Sequence, residues 1–285
     1  MDLNKTAIEI REILEKKRQE LELSFIEEDH IYFMKDNDGK LRNDFPSVSK
    51  VLKNFYTEFP TEEAALKKAK GDVVYAEQLK EEWAQAGIYS TNMGSRTHFF
   101  LEQETIKRFG DYKQVREPIF ECDFTQILKS DIMIQAGKDY IDLMIKRGAV
   151  LLDTEIVLGH PDLGYTGQPD KVWLIFGKNN EIGLIITDWK TNKPKNFEET
   201  QFTKRMKYPF QTQPDNALGH YFVQLPLYGK LLLKMLEGSK YGNINLLGCI
   251  VTLLKDVGQY EEFRVPKDVI TTVLDMNISN YLTTK

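Results

Sequence analysis

The chain has 285 residues, room for one large domain or two ordinary ones at about 150 residues each. Apolar residues make up 41% and charged residues 28%, a balance that excludes wholesale disorder. With 38 Lys and Arg against 43 Asp and Glu, the net charge of −5 excludes a histone-like basic coat but leaves room for a local basic groove.

Periodic apolar residues predict an amphipathic helix over residues 5–23, with Ile8, Leu14 and Leu21 among its apolar positions. Ile31-Tyr32-Phe33 reads as a strand and Asp36 to Gly39 as a turn. Pro46-Ser47-Val48-Ser49 ends an extended segment and caps a helix that starts near Lys50. An Ala-, Lys- and Glu-rich helix is expected over 61–90. Asn92-Met93-Gly94-Ser95 breaks it, a second helix follows from Arg96 to Phe109, and a further helix covers 125–147.

The pattern changes at Gly148. Strands are expected over Val150 to Leu158, Tyr165 to Phe176 and Ile182 to Trp189, joined by short turns as an antiparallel meander. A Lys-rich loop and an irregular polar stretch lead to a helix from Asp215 to Glu237. Strands at Leu246 to Leu254 and Tyr260 to Val265 and a helix after Pro266 close the chain. This order predicts one α/β core over residues 91–285, with residues 1–90 as a helical and strand-bearing elaboration packed on it.

Two cysteines, Cys122 and Cys249, form no CxxC and cannot supply a four-cysteine zinc or iron–sulfur site, so no iron–sulfur cluster is expected. The opening MDLNKTAIEIREILEKK is charged throughout and has no apolar leader core, and Leu246 to Leu254 is too short to span a bilayer. A cytoplasmic protein with no membrane partner is the expectation.

The strongest chemical signal is Gly167-Gln168-Pro169-Asp170 with Asp188-Trp189-Lys190. Asp170 is expected inside the second strand of the meander and Asp188 at the end of the third. Adjacent strands bring the two carboxylates close, where like charges repel unless a cation lies between them. Oxygen donors point to Mg²⁺ or Mn²⁺. Lys190, two residues from Asp188, shares its strand face and can reach a water beside the ion. The alternative is a pair of ordinary strand-end residues facing water. His98, at a predicted helix start with Glu102 one turn on, is a candidate softer ligand or a structural histidine. His220, Gln224 and Tyr228 recur every four residues as a polar stripe, in conflict with Pro226 inside the same helix.

These segments resemble the PD-(D/E)XK nuclease superfamily and, within it, the RecB-type and phage exonuclease branch. The resemblance lies in four motifs in order: Gly94 to His98, Gly167 to Asp170, Asp188-Trp189-Lys190 and Gln224 to Tyr228. Upstream, Asp29-His30-Ile31-Tyr32 and Pro46 to Leu52 are similar to the N-terminal region of phage exonucleases and of the mitochondrial genome maintenance exonuclease. The likeness spans roughly residues 25–265, with only the motifs specific, and there is no Walker-type GxxxxGK[ST]. It implies a restriction-endonuclease-like αβββαβ core with a mixed central sheet flanked by helices.

The implied roles follow residue by residue. His98, Asp170, Asp188 and the Trp189 carbonyl would hold one or two Mg²⁺ or Mn²⁺ ions. Lys190 would orient or deprotonate the attacking water, and Gln224 and Tyr228 would fix Lys190 or the nucleic-acid backbone. Glu102 and Glu155 are expected behind these ligands, Glu155 also as a looser contact to metal or water. Ser47, Ser49, Lys193, Lys195 and Arg205 are the expected nucleic-acid contacts, with capping and a solvated loop as their plainer explanations. The implied activity is metal-dependent DNA exonuclease action on ends or single strands. A single-strand annealing or replication protein is an expected partner, in phage-type DNA metabolism within a bacterial host. An endonuclease, a CRISPR-adaptation nuclease and a non-catalytic nucleic-acid-binding module are the alternatives.

Overall fold

The computed structural model describes residues 2–27, 29–110, 118–201 and 203–282. Helix α1 (Leu3–Glu20) starts at Asp2, whose side chain accepts the Asn4 amide at 2.9 Å, and turns Ala7, Ile10 and Leu14 inward. Strands β1 (Ser24–Ile26), β2 (Ile31–Lys35) and β3 (Leu41–Arg42) form a small antiparallel sheet. Ser47 caps α2 (Val48–Leu52), and α3 (Thr61–Lys68) follows. Helix α4 (Val73–Phe109) is 37 residues long and α5 (Phe124–Lys146) opens on a capping box between Asp123 and Gln126.

Next come β4 (Val150–Thr154), β5 (Leu158–His160), β6 (Tyr165–Gly167), β7 (Lys171–Phe176) and β8 (Ile182–Lys190). Helix α6 (Ala217–Leu236), β9 (Asn245–Lys255), β10 (Gln259–Arg264) and α7 (Lys267–Asp275) complete the order.

The fold is α/β. Five strands form a mixed sheet in the order β10-β9-β8-β7-β4. The pairs β4–β7, β7–β8 and β9–β10 are antiparallel, while β8–β9 is parallel, as a crossover through α6 requires. One face of the sheet buries Leu152, Val172, Leu174, Leu184, Ile186 and Val251 in a cluster with α1, α6 and α7. The other buries Leu151, Trp173, Trp189 and Leu254 against α4 and α5. No described helix is long and apolar enough to cross a membrane.

Three expectations are corrected. The helix break lies not at Asn92 to Ser95 but at Lys70 and Gly71, both at positive φ, from which Asp72 caps α4. Helix α4 then runs unbroken through 92–95 and across residues 90 and 91. Gly94 costs about 1 kcal/mol in a helix interior. Here a Cβ would stand 3.0 Å from Thr191 Oγ1, so glycine answers a close approach rather than a chain break.

The first two strands of the meander are each interrupted. Glu155, at φ 49°, separates β4 from β5, and Gln168-Pro169-Asp170 separates β6 from β7, where proline has no N–H for the ladder. Strands β5 and β6 pair as their own two-stranded sheet. Asp170 therefore sits one residue before β7 rather than inside a strand. Pro226 does not stop α6, which continues to Leu236.

Candidate metal and active site

The register of β7 and β8 sets the site. The last pair is Lys171↔Thr187, and one step further along the antiparallel pair puts Asp170 opposite Asp188. Asp170 Oδ2 accepts the Trp189 amide at 2.6 Å. The Asp170 carbonyl accepts the Glu155 amide at 3.0 Å and Thr154 Oγ1 at 2.9 Å. The strand breaks at Glu155 and Pro169 are thus tied to each other around Asp170.

Helix α4 brings His98 alongside, with Nδ1 3.4 Å from Asp170 Oδ2. His98, Glu155 and Asp170 each offer one ligand atom, all within 4.8 Å of one another. Asp188 lies outside that trio and forms an ion pair with Lys190. The group opens on a cleft of about 1110 Å³ lined by His98, Glu155, Gly167, Asp170 and Tyr228 among others.

The two aspartates differ electrostatically. Burial opposes ionisation of Asp170, but His98, Lys190 and Lys171 hold its carboxyl well below the usual carboxylate range. Burial and the Asp170 charge push Asp188 up. Burial pulls the Lys190 ammonium down, and Asp188, Tyr221 and Asp170 more than offset it, so Lys190 is held above the ordinary lysine range. Tyr32 is pushed up to about 12 by burial and the nearby Glu155 charge. Two buried carboxylates with unequal proton affinities are what one shared cation would level.

The other expected residues divide into those near the cleft and those away from it. Gln224 Nε2 donates to Tyr228 Oη at 3.0 Å, and both lie on α6. The Tyr228 ring explains Gly167: a Cβ there would meet Tyr228 Cε1 at 2.6 Å and Val48 at 2.7 Å. Glu102 is buried and lines the cleft, as do Ser47 and Ser49, and Ser47 accepts the Lys50 amide at 3.4 Å. Trp189 sends its indole to the opposite face of the sheet, against Tyr140, while its amide serves Asp170. Lys193, Lys195 and Arg205 are exposed outside the cleft lining, and Arg205 pairs with Glu199. His220 is drawn away, bonded to Asp215 at 2.7 Å and stacked on Tyr56 at 4.1 Å.

One expected residue moves forward, and two contacts lay beyond the sequence reading. Glu155 stands with His98 and Asp170 as a potential ligand rather than behind them. Tyr221 faces Lys190, whose Nζ is 4.3 Å from the ring centroid. Lys171 is 1% exposed, with its ammonium 4.8 Å from the Trp189 ring centroid on the face away from Asp188. A polar stripe read at spacings of three and four, Tyr221-Gln224-Tyr228, would have found the tyrosine; strict steps of four selected His220 instead. The lining is also acidic. Glu27, Glu102, Glu121, Glu155 and Asp170 face it with His30 and His98, and no Lys or Arg lines it among the described residues.

An imidazole and two carboxylates, one of them nearly buried, form a donor set that fits Mn²⁺ or Mg²⁺. No protein-family model matches the chain, and no curated protein matches it significantly.

Proposed function

We propose that the protein is a metal-dependent DNA exonuclease with a restriction-endonuclease-like αβββαβ core of the PD-(D/E)XK type. The observation that carries this reading is the set Asp170, Asp188, Lys190 and His98 at the broken edge of two antiparallel strands, with His98 and Asp170 lining the cleft and the Asp188–Lys190 pair beside them. The succession β4, β7, β8, α6 and β9, with β9 parallel to β8, supports it.

His98, Glu155 and Asp170 would hold a divalent ion, with Asp188 completing the set from the neighbouring strand. The bound ion would polarise the scissile phosphate and stabilise the leaving 3′ oxygen. Lys190, held protonated beside Asp188, orients the attacking water and offsets charge gathering on the phosphoryl oxygens. The water oxygen forms the new bond to phosphorus as the bond to the 3′ oxygen breaks; the water gives up a proton to solvent and the 3′ oxygen takes one from solvent, which leaves a 5′-phosphate and a 3′-hydroxyl. Tyr228, which lines the cleft beside Gly167, accepts a hydrogen bond from Gln224.

The acidic lining favours an enzyme over a binding module that does not cut. Holding a polyanion without chemistry draws its affinity from Lys and Arg, and none lines this cleft among the described residues. The test uses end-labelled linear single strands and closed circles of the same sequence, with Mg²⁺, Mn²⁺ or chelator. Ion-dependent loss of the linear strand, intact circles, and no turnover by Asp188→Asn are expected. Cut circles would make it an endonuclease. No cleavage of either substrate with either ion would overturn the nuclease assignment.

A further inference from the structure

Lys190 is 84% removed from solvent at its side chain, whose exposure is 16%, yet a lysine has four flexible carbons and a point-like charge. Something must select one of its many rotamers. Asp188 takes one side of the ammonium. The other side meets the ring of Tyr221, with Nζ 4.3 Å from the centroid. A cation over an aromatic face is attracted by the ring quadrupole, and more so where water is displaced.

The ring is itself fixed at its far end. Tyr221 Oη donates to Asn192 Oδ1 at 3.0 Å, two residues beyond Lys190 in the loop that leaves β8. Phe197, further along that loop, packs against the same ring with centroids 5.9 Å apart. On α6, Tyr221 stands three residues before Gln224 and seven before Tyr228, so all three share one helix face. The face that carries the motif residues thus also carries a platform under the motif lysine.

We propose that Tyr221, locked by Asn192, is a positioning residue that holds the Lys190 ammonium at Asp188, beside Asp170. This rests on the nuclease assignment above for its kinetic consequence, and on geometry alone for the contact. Tyr221 does not touch the reacting atoms. Its loss frees the lysine to swing away from Asp188, so the chemical step slows while nucleic-acid binding persists.

The experiment compares Tyr221→Leu, Tyr221→Phe and Lys190→Ala, alone and combined, in the full-length protein. Tyr221→Leu should lower kcat on the order of 10-fold with KM nearly unchanged, the size of a lost cation–π contact read as a rate. Tyr221→Phe keeps the ring face and should retain most of the rate. In the Lys190→Ala background, Tyr221→Leu should cost nothing further. An equal loss in that background, or a loss confined to KM, would make Tyr221 a packing or binding residue and overturn the proposal. A second readout needs no turnover: NMR of the Lys190 ε-methylene protons, which a ring face shifts upfield. The shift should be present in the wild type and Tyr221→Phe and absent in Tyr221→Leu. Its absence in the wild type overturns the contact itself. A wild type that shows the shift without turnover upholds the contact and overturns the nuclease assignment instead.

Discussion

The two faces of strand β8 carry opposite chemistry within a few residues. Leu184, Ile186, Asp188 and Lys190 point toward α6, and the face passes from apolar packing to an ion pair as the strand reaches the cleft. Ile185, Thr187 and Trp189 point toward α5, and that face stays closed to its end. There Trp173 Nε1 donates to Thr187 Oγ1 at 2.9 Å, and Tyr140 meets Trp189 edge-on with centroids 5.3 Å apart. The closed face keeps the strand fixed, so the open face can display two carboxylates that would otherwise drive the strand ends apart.

The largest way to break this contrast is on the open face. Asp170→Asn and Asp188→Asn should each reduce cleavage by about 10³-fold or more, several kcal/mol of lost transition-state stabilisation. Asp188→Asn should still unfold cooperatively in urea near the wild-type midpoint, since it removes a charge that burial and Asp170 disfavour, whereas Asp170→Asn gives up a charge that His98 and Lys190 favour and should unfold at somewhat lower urea. A midpoint collapse with normal activity would reverse the roles assigned to the two faces. Lys190→Ala should lower single-turnover rates by about 10²–10⁴-fold. Lys190→Arg should not restore them, because a planar fork does not fit the place of a compact ammonium between Asp188 and Tyr221.

The closed face should answer in stability instead. Trp173→Ala deletes a fully buried indole and should cost about 3–5 kcal/mol in denaturant unfolding. The smallest effect lies at the far end of that face, where Arg147 clasps Glu262 of β10, with Nη2 2.9 Å from Oε2. Burial works against ionisation of Glu262, but the Arg147 guanidinium wins and holds it below the ordinary range. A carboxylate with a depressed native pKa adds stability above its unfolded pKa, about 4.3, and loses it as pH falls through the native value. Glu262→Gln should therefore be less stable than the wild type near neutrality and converge with it in acid, as parallel urea titrations would show.

What the sequence discloses depends on whether local chemistry or distant contact decides. Ile182 to Trp189 reads as a strand because it is rich in β-branched and apolar residues, and Asp188 and Lys190 stand out against that background. Helix α6 is legible in the same way. Gly94 misleads because the chain of reasoning from composition sees a helix breaker, whereas Thr191, nearly a hundred residues on, supplies the reason for a missing side chain. Glu155 is read from sequence only as a looser contact to metal or water, for a like reason. Its positive φ and its bond to Asp170 exist only once β4 and β7 have paired. The place of Tyr221 on the motif face is hidden by arithmetic, since His220 fits steps of four and the real face alternates threes and fours.

The acid-lined cleft also bears on encounter rates. For the proposed nucleic-acid substrate, Glu27, Glu102 and Glu121, which line the cleft with Asp170, are like charges to a phosphate backbone. Most proteins that meet DNA are helped by long-range attraction, so their association slows as salt rises. Here the expected sign inverts: screening with a decay length of about 10 Å at 0.1 M salt should weaken that repulsion, so association of the proposed substrate should quicken as salt rises.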